Sequence, residues 1–91
     1  MTSDAGVKIK IMPDSPDANL EEIESEAKKV IETKEGTIVS TEQEDIAFGL
    51  KATIITFTII ETFEQDPLIE ALTSIEHVNS AEIIDFRRIG F

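Results

Sequence analysis

The stretch GLKATIITFTII, residues 49–60, decides the reading of the fold. Its β-branched and aromatic content makes it a strand. Its phase is split. Leu50, Ala52 and Ile54 share one parity, and Ile55, Phe57 and Ile59 share the other. Either both faces are covered in part, or a bulge near Ile54 shifts the register. In both cases the strand belongs in the middle of a sheet.

Outward from it the chain alternates between two periods. On the N-terminal side lies TIVST, residues 37–41, β-branched enough for a strand, and then QED, residues 43–45, which reads as a loop ahead of IAFG. Earlier still, NLEEIESEAKKVIETKEG places Leu20, Ile23, Ala27, Val30 and Ile31 on one helical face. Asn19 and Glu22 have capping-box spacing, and Gly36 is the stop signal. The opening VKIKIM alternates Val7, Ile9 and Ile11 with Lys8, Lys10 and Met12, the pattern of a half-buried strand. Pro13 ends it, and PDSPDAN is a turn-rich connection. On the C-terminal side, EQDPLIEALTSIEHV is a second helix with Leu68, Leu72 and Ile75 as its stripe. Asp66 is its expected cap, with Pro67 at the first helical position. After a turn at residues 77–79, SAEIIDFRRI is a last strand.

The order is strand, helix, strand, strand, helix, strand. Two crossovers flanking one hairpin make an α+β, ferredoxin-like β-α-β-β-α-β fold. It predicts a four-stranded antiparallel sheet with two helices on one face. Residues 1–5 read as a flexible N-terminus and 6–91 as a single domain.

Composition narrows the function. Eight Lys plus Arg against nineteen Asp plus Glu give a net charge of −11, a field that repels phosphate backbones and anionic lipid heads. Neither direct nucleic-acid binding nor a membrane is expected. The chain has no cysteine, hence no thiolate nucleophile and no sulfur-ligated metal. No long apolar run or basic-then-apolar start is present, so a soluble cytoplasmic protein is expected.

Enzyme chemistry finds little support. The sole histidine, His77, has Ser74 one helical turn before it and Asp85 on the next strand, but a polar turn gives no enclosure for a triad. Glu42, Glu44 and Asp45 are dense, yet lack the spacing of an oxygen cage. The glycines are isolated, so no phosphate-cradling loop exists. No catalytic residue, metal or cofactor is expected. Two features remain. Phe48, at a loop-to-strand junction, either closes the edge of the core or stands out as an aromatic anchor. Arg87 and Arg88 are the only arginines; either they solubilise the surface, or one of them reaches a partner.

The opening VKIKIMPDSPDANLEEIE, the segment DIAFGLKATIITF and the ending VNSAEIIDFRRI resemble the archaeal elongation factor 1-beta family across residues 7–89. The resemblance implies guanine nucleotide exchange on elongation factor 1-alpha, the translational GTPase in its GDP- and Mg²⁺-bound state, by a chain that is a monomer alone. It also implies a site made of Phe48, Gly49, Lys51, Arg87, Arg88 and Ile89. Phe48 would pack on the GTPase's second domain, with Lys51 at the rim. Arg88, followed by Ile89, stands where eukaryotic relatives carry a lysine that enters the metal site. Here the residue is Arg and Gly90-Phe91 extend the end. Competing readings on this fold are a small-molecule regulatory domain, an acylphosphatase-type hydrolase and an RNA-recognition module. The second lacks an arginine in the loop after the first strand. The third lacks a basic, aromatic sheet face.

Overall fold

The computed structural model describes residues 4–60 and 62–89. Strand β1 (Asp4–Pro13) leads into helix α1 (Leu20–Thr33), then strand β2 (Thr37–Asp45). A short 3₁₀ turn (Ala47–Gly49) joins it to strand β3 (Lys51–Ile60). Helix α2 (Gln65–Thr73) and strand β4 (Val78–Ile89) complete the chain. The four strands form one sheet in the order β2-β3-β1-β4, and every neighbouring pair is antiparallel. This is the ferredoxin-like arrangement that the sequence order requires.

Residues Ala5, Val7, Ile9 and Ile11 of β1 pair with Ile59, Phe57, Ile55 and Thr53 of β3, so all eight share one face. That face meets Ile23, Ala27 and Ile31 of α1 and Leu68 and Leu72 of α2 in a single core. Both helices therefore lie on one side. Leu20, Val30, Ile75 and Ile83 pack at its margin, half-buried rather than fully buried.

The split phase of β3 has a definite cause. Its register with β1 runs unbroken from Ile60 to Thr53, so β3 has no bulge there. Ala52 and Ile54 face the side without helices, yet they are 0% and 9% exposed. Lys10 on β1 and Glu44 on β2 flank β3 on this side and meet at 3.7 Å across it, their stems covering the two apolar residues. The bulges sit on the edge strands instead. Val39 is the extra residue of β2, and Ile84 is an extra residue of β4.

Several local expectations are corrected. Asp4 and Ala5 are not a loose lead: they pair with Ile60 and Ile59, and Ala5 is fully buried. Met1, Thr2 and Ser3 lie outside the described residues, as do Gly90 and Phe91. QED is not a loop, because β2 continues to Asp45. Its polar residues reflect an exposed edge strand, not a turn. Helix α2 begins at Gln65, with Glu64 at the cap making no side-chain bond. Pro67 falls at its third position, still in the first turn, where a missing N–H forfeits no intrahelical bond. The helix stops at Thr73, earlier than expected. The Thr73 hydroxyl donates to the Ile69 carbonyl at 2.7 Å and the Ser74 hydroxyl to the Glu70 carbonyl at 2.8 Å, competing for the last acceptors.

The first helix starts as read: the Glu22 N–H donates to Asn19 Oδ1 at 3.2 Å. It ends in a Schellman motif. The N–H groups of Gly36 and Glu35 donate to the carbonyls of Ile31 and Glu32 at 2.9 and 3.0 Å. The left-handed residue is Glu35 (φ 68°), not the glycine. Gly36 is needed for close approach: a Cβ there would lie 2.5 Å from Ile31 Cγ2 and 3.4 Å from the Phe57 ring.

Among the described residues, one core atom lacks a partner. Thr53 is 1% exposed and its hydroxyl makes no hydrogen bond. Valine has the same shape without that desolvated group, so Thr53→Val is expected to stabilise the fold by about 1 kcal/mol. An unchanged or lowered denaturation midpoint would contradict this.

Candidate functional site

The β2–β3 hairpin turns at Ala47–Gly49. The Ile46 N–H donates to the Leu50 carbonyl at 2.7 Å, closing the loop. Two successive residues inside it are left-handed: Phe48 (φ 64°) and Gly49 (φ 77°). For Gly49 that conformation is free of strain. For Phe48 it costs about 1–2 kcal/mol. The strained phenylalanine is 93% exposed, so it closes no core edge. The hairpin tip lies against the β1–α1 loop, since a Cβ on Gly49 would be 4.0 Å from Pro16 Cβ. Lys51, the first residue of β3, is exposed opposite Asp45.

Arg87 and Arg88 are exposed near the end of β4. Register places them on opposite faces: Arg88 beside Ala5 on the helix side, Arg87 beside Gly6 on the open side. Arg87 Nε lies 3.3 Å from Asp85 Oδ2. Ile89 pairs with Asp4 at the last rung. On the helix side, Phe86 stacks on Phe63 with ring centroids 6.2 Å apart, supporting the strand just before the arginines.

The candidate residues thus form two groups, not one. Ala5 pairs with both Arg88 and Ile59, so Arg88 is level with the far end of β3. Phe48, Gly49 and Lys51 lie at its beginning. At about 3.3 Å per residue, the two groups are about 25–30 Å apart along the sheet. The molecule is 44 Å long, so each group occupies one end.

The triad candidates do not converge. Ser74 Oγ donates to Glu70, while Asp85 holds Arg87. His77 Nδ1 lies 3.5 Å from Asp14 and Nε2 lies 3.6 Å from Glu76. Glu42 and Glu44 face the open side, with Asp45 on the other. Among the described residues no group of three or more His, Cys, Asp or Glu side chains is placed to hold a metal ion. No described helix is long and apolar enough to cross a membrane.

These features define a small ferredoxin-like domain whose most prominent side chains stand at the two ends of one sheet. Comparison with known proteins supplies the family. Residues 6–89 match the EF-1 guanine nucleotide exchange domain, and the chain belongs to that family. It is 38% identical over 85 residues to elongation factor 1-beta of Thermococcus gammatolerans, covering 89% of this chain and 90% of that protein. The same-named protein of Pyrococcus horikoshii is 40% identical over 85 residues, with the same coverage. That of Methanosarcina barkeri is 37% identical over 87 residues, covering 94% of this chain and 98% of its own length.

Proposed function

We propose that this chain is a guanine nucleotide exchange factor of translation. It binds elongation factor 1-alpha with both ends of its sheet and promotes release of GDP so that GTP can rebind. The observation that carries the reading is the two-ended geometry. An exposed aromatic is preset in a strained turn at one end, and a pair of arginines lies about 25–30 Å away at the other. A separation of that size lets one small domain touch two regions of a larger partner at once.

The division of labour follows from the chemistry. Phe48 is an apolar anchor and Gly49 holds its turn, with Lys51 at the rim. Arg88 brings positive charge to the Mg²⁺ and phosphate end of the nucleotide site, with Ile89 beside it. The metal is the largest local charge there, and a second cation close by disfavours it. Exchange needs only better binding to the nucleotide-free state than to the loaded one. Because linkage is reciprocal, returning nucleotide then displaces the exchanger. The chain itself needs no catalytic group, cofactor or metal. It acts in the cytoplasm as a monomer and meets neither nucleic acid nor membrane.

The test is release of a fluorescent GDP from purified elongation factor 1-alpha, with and without this chain. Acceleration that saturates with exchanger concentration is the expected result. Release unaffected at saturating chain would overturn the proposal. The isolated chain is expected neither to hydrolyse GTP nor to bind GDP at micromolar concentration, and one-to-one GDP binding in calorimetry would contradict that.

A further inference from the structure

The open face of the sheet, opposite the helices, carries a hollow of about 300 Å³ lined by Gly6, Val7, Lys8, Thr56, Asp85 and Arg87. Its position follows from register. Gly6 lies between Thr58 and Arg87, and Lys8 lies between Thr56 and Asp85. Gly6 places no side chain on this face, so the space between the flanking residues is left unfilled.

The charges around it are unevenly matched. Asp85 sits directly opposite Lys8, where a cross-strand ion pair would be natural. Its carboxylate reaches Arg87 instead, at 3.3 Å. One row further in, Lys10 is held by Glu44. Lys8 is half-buried and has no ion-pair partner among the described residues. The lining therefore has two cations to one anion, in a chain whose net charge is −11. Asp4 also faces this side, at the last rung, but does not line the hollow.

We propose that this hollow receives a carboxylate side chain of the partner GTPase, with Lys8 as its principal contact and Arg87 at its rim. The inference rests on the exchange-factor reading and extends the contact at the arginine end onto the open sheet face. The position favours a protein carboxylate over a free anion. Arg87 at the rim is the chain neighbour of Arg88, on the opposite face of the same strand end, so a partner that wraps this end of the sheet delivers its acidic side chain at high effective concentration. A free anion has no such help against the repulsion of the whole chain.

The experiment titrates exchanger against elongation factor 1-alpha loaded with fluorescent GDP, using wild type, Lys8→Ala, Lys8→Glu, Lys8→Arg and Lys29→Glu. Lys29 lies on the helix side, so its variant reports the effect of overall charge. Lys8→Ala is expected to raise the half-saturating concentration about fivefold, the upper range for a partly exposed ion pair. Lys8→Glu should raise it further, and Lys8→Arg and Lys29→Glu should stay within about twofold of wild type. The maximal release rate should not move in any of them, and the melting midpoint should hold in Lys8→Ala and Lys8→Arg; Lys8→Glu sets a carboxylate opposite Asp85 and Lys29→Glu sets one beside Glu26, so both should melt slightly lower. Half-saturation unchanged in Lys8→Ala and Lys8→Glu overturns the hollow's role while leaving the exchange function intact. So does an equal loss in Lys29→Glu, which would trace the effect to net charge. Absence of exchange by wild type overturns both readings together.

Discussion

Phe48→Ala is expected to weaken docking on elongation factor 1-alpha by about 2–4 kcal/mol, a 30-fold to several hundred-fold loss of affinity. The side chain has almost its whole surface to contribute, being 93% exposed in the free chain. Its backbone is already fixed in the left-handed turn, so little ordering is left for the binding step. The strain gives the prediction a second arm. Phe48→Gly removes the anchor and also relieves the left-handed conformation, so docking should fall while the melting midpoint does not. An ordinary core residue would move the other way, losing stability first. Docking measured by calorimetry and melting by circular dichroism separate the two. Unchanged affinity in both variants would remove Phe48 from the interface.

Arg88→Ala is expected to slow GDP release at saturating exchanger about tenfold or more. Tenfold in rate corresponds to about 1.4 kcal/mol of interaction made preferentially where nucleotide and metal are leaving. Docking should survive, because the Phe48 end is about 25–30 Å away and independent of the change. Arg88→Lys should keep part of the activity, since charge is retained and the planar fork is lost. Arg87→Ala should leave the saturating rate near wild type, because register sends Arg87 to the open face. The decisive comparison is release rate against exchanger concentration for all four proteins. A saturating rate unchanged in Arg88→Ala would move the work of exchange away from the basic end.

The element order was legible because each element carries its own period. Val7, Ile9 and Ile11 alternate, Ile23, Ala27 and Ile31 recur at helical spacing, and neither depends on distant residues. What local pattern could not supply was anything decided across strands. The two phases of β3 read equally as two partly covered faces or as a bulge until Lys10 and Glu44 are seen to meet over Ala52 and Ile54, which settles it for the first. QED resembles a loop because an edge strand with exposed faces has no need of apolar residues. Phe48 was recognisable as a candidate, but an apolar residue at a strand entry reads alike whether buried or exposed. Its exposure is decided by the folded structure, where the tip carries it clear of the core. The separation of Phe48 from Arg88 follows from the shared pairing of Ala5. The hollow at Gly6 is almost silent in the sequence. Its walls come from three strands, and its one local signal is a glycine inside an alternating run.

The bulges on β2 and β4 bear on how this chain behaves when it is crowded. A flat edge strand offers a row of unpaired N–H and C=O groups on which a second molecule can grow as another strand, and then a third. Here both outer strands break step, at Val39 and at Ile84, and each break adds local twist. A neighbouring copy laid along either edge meets a mismatched ladder after a few residues. Its like charge opposes the approach as well. Both sides of the sheet thus disfavour growth by strand addition, and they do so by broken register and like charge rather than by a covering helix or a closed barrel.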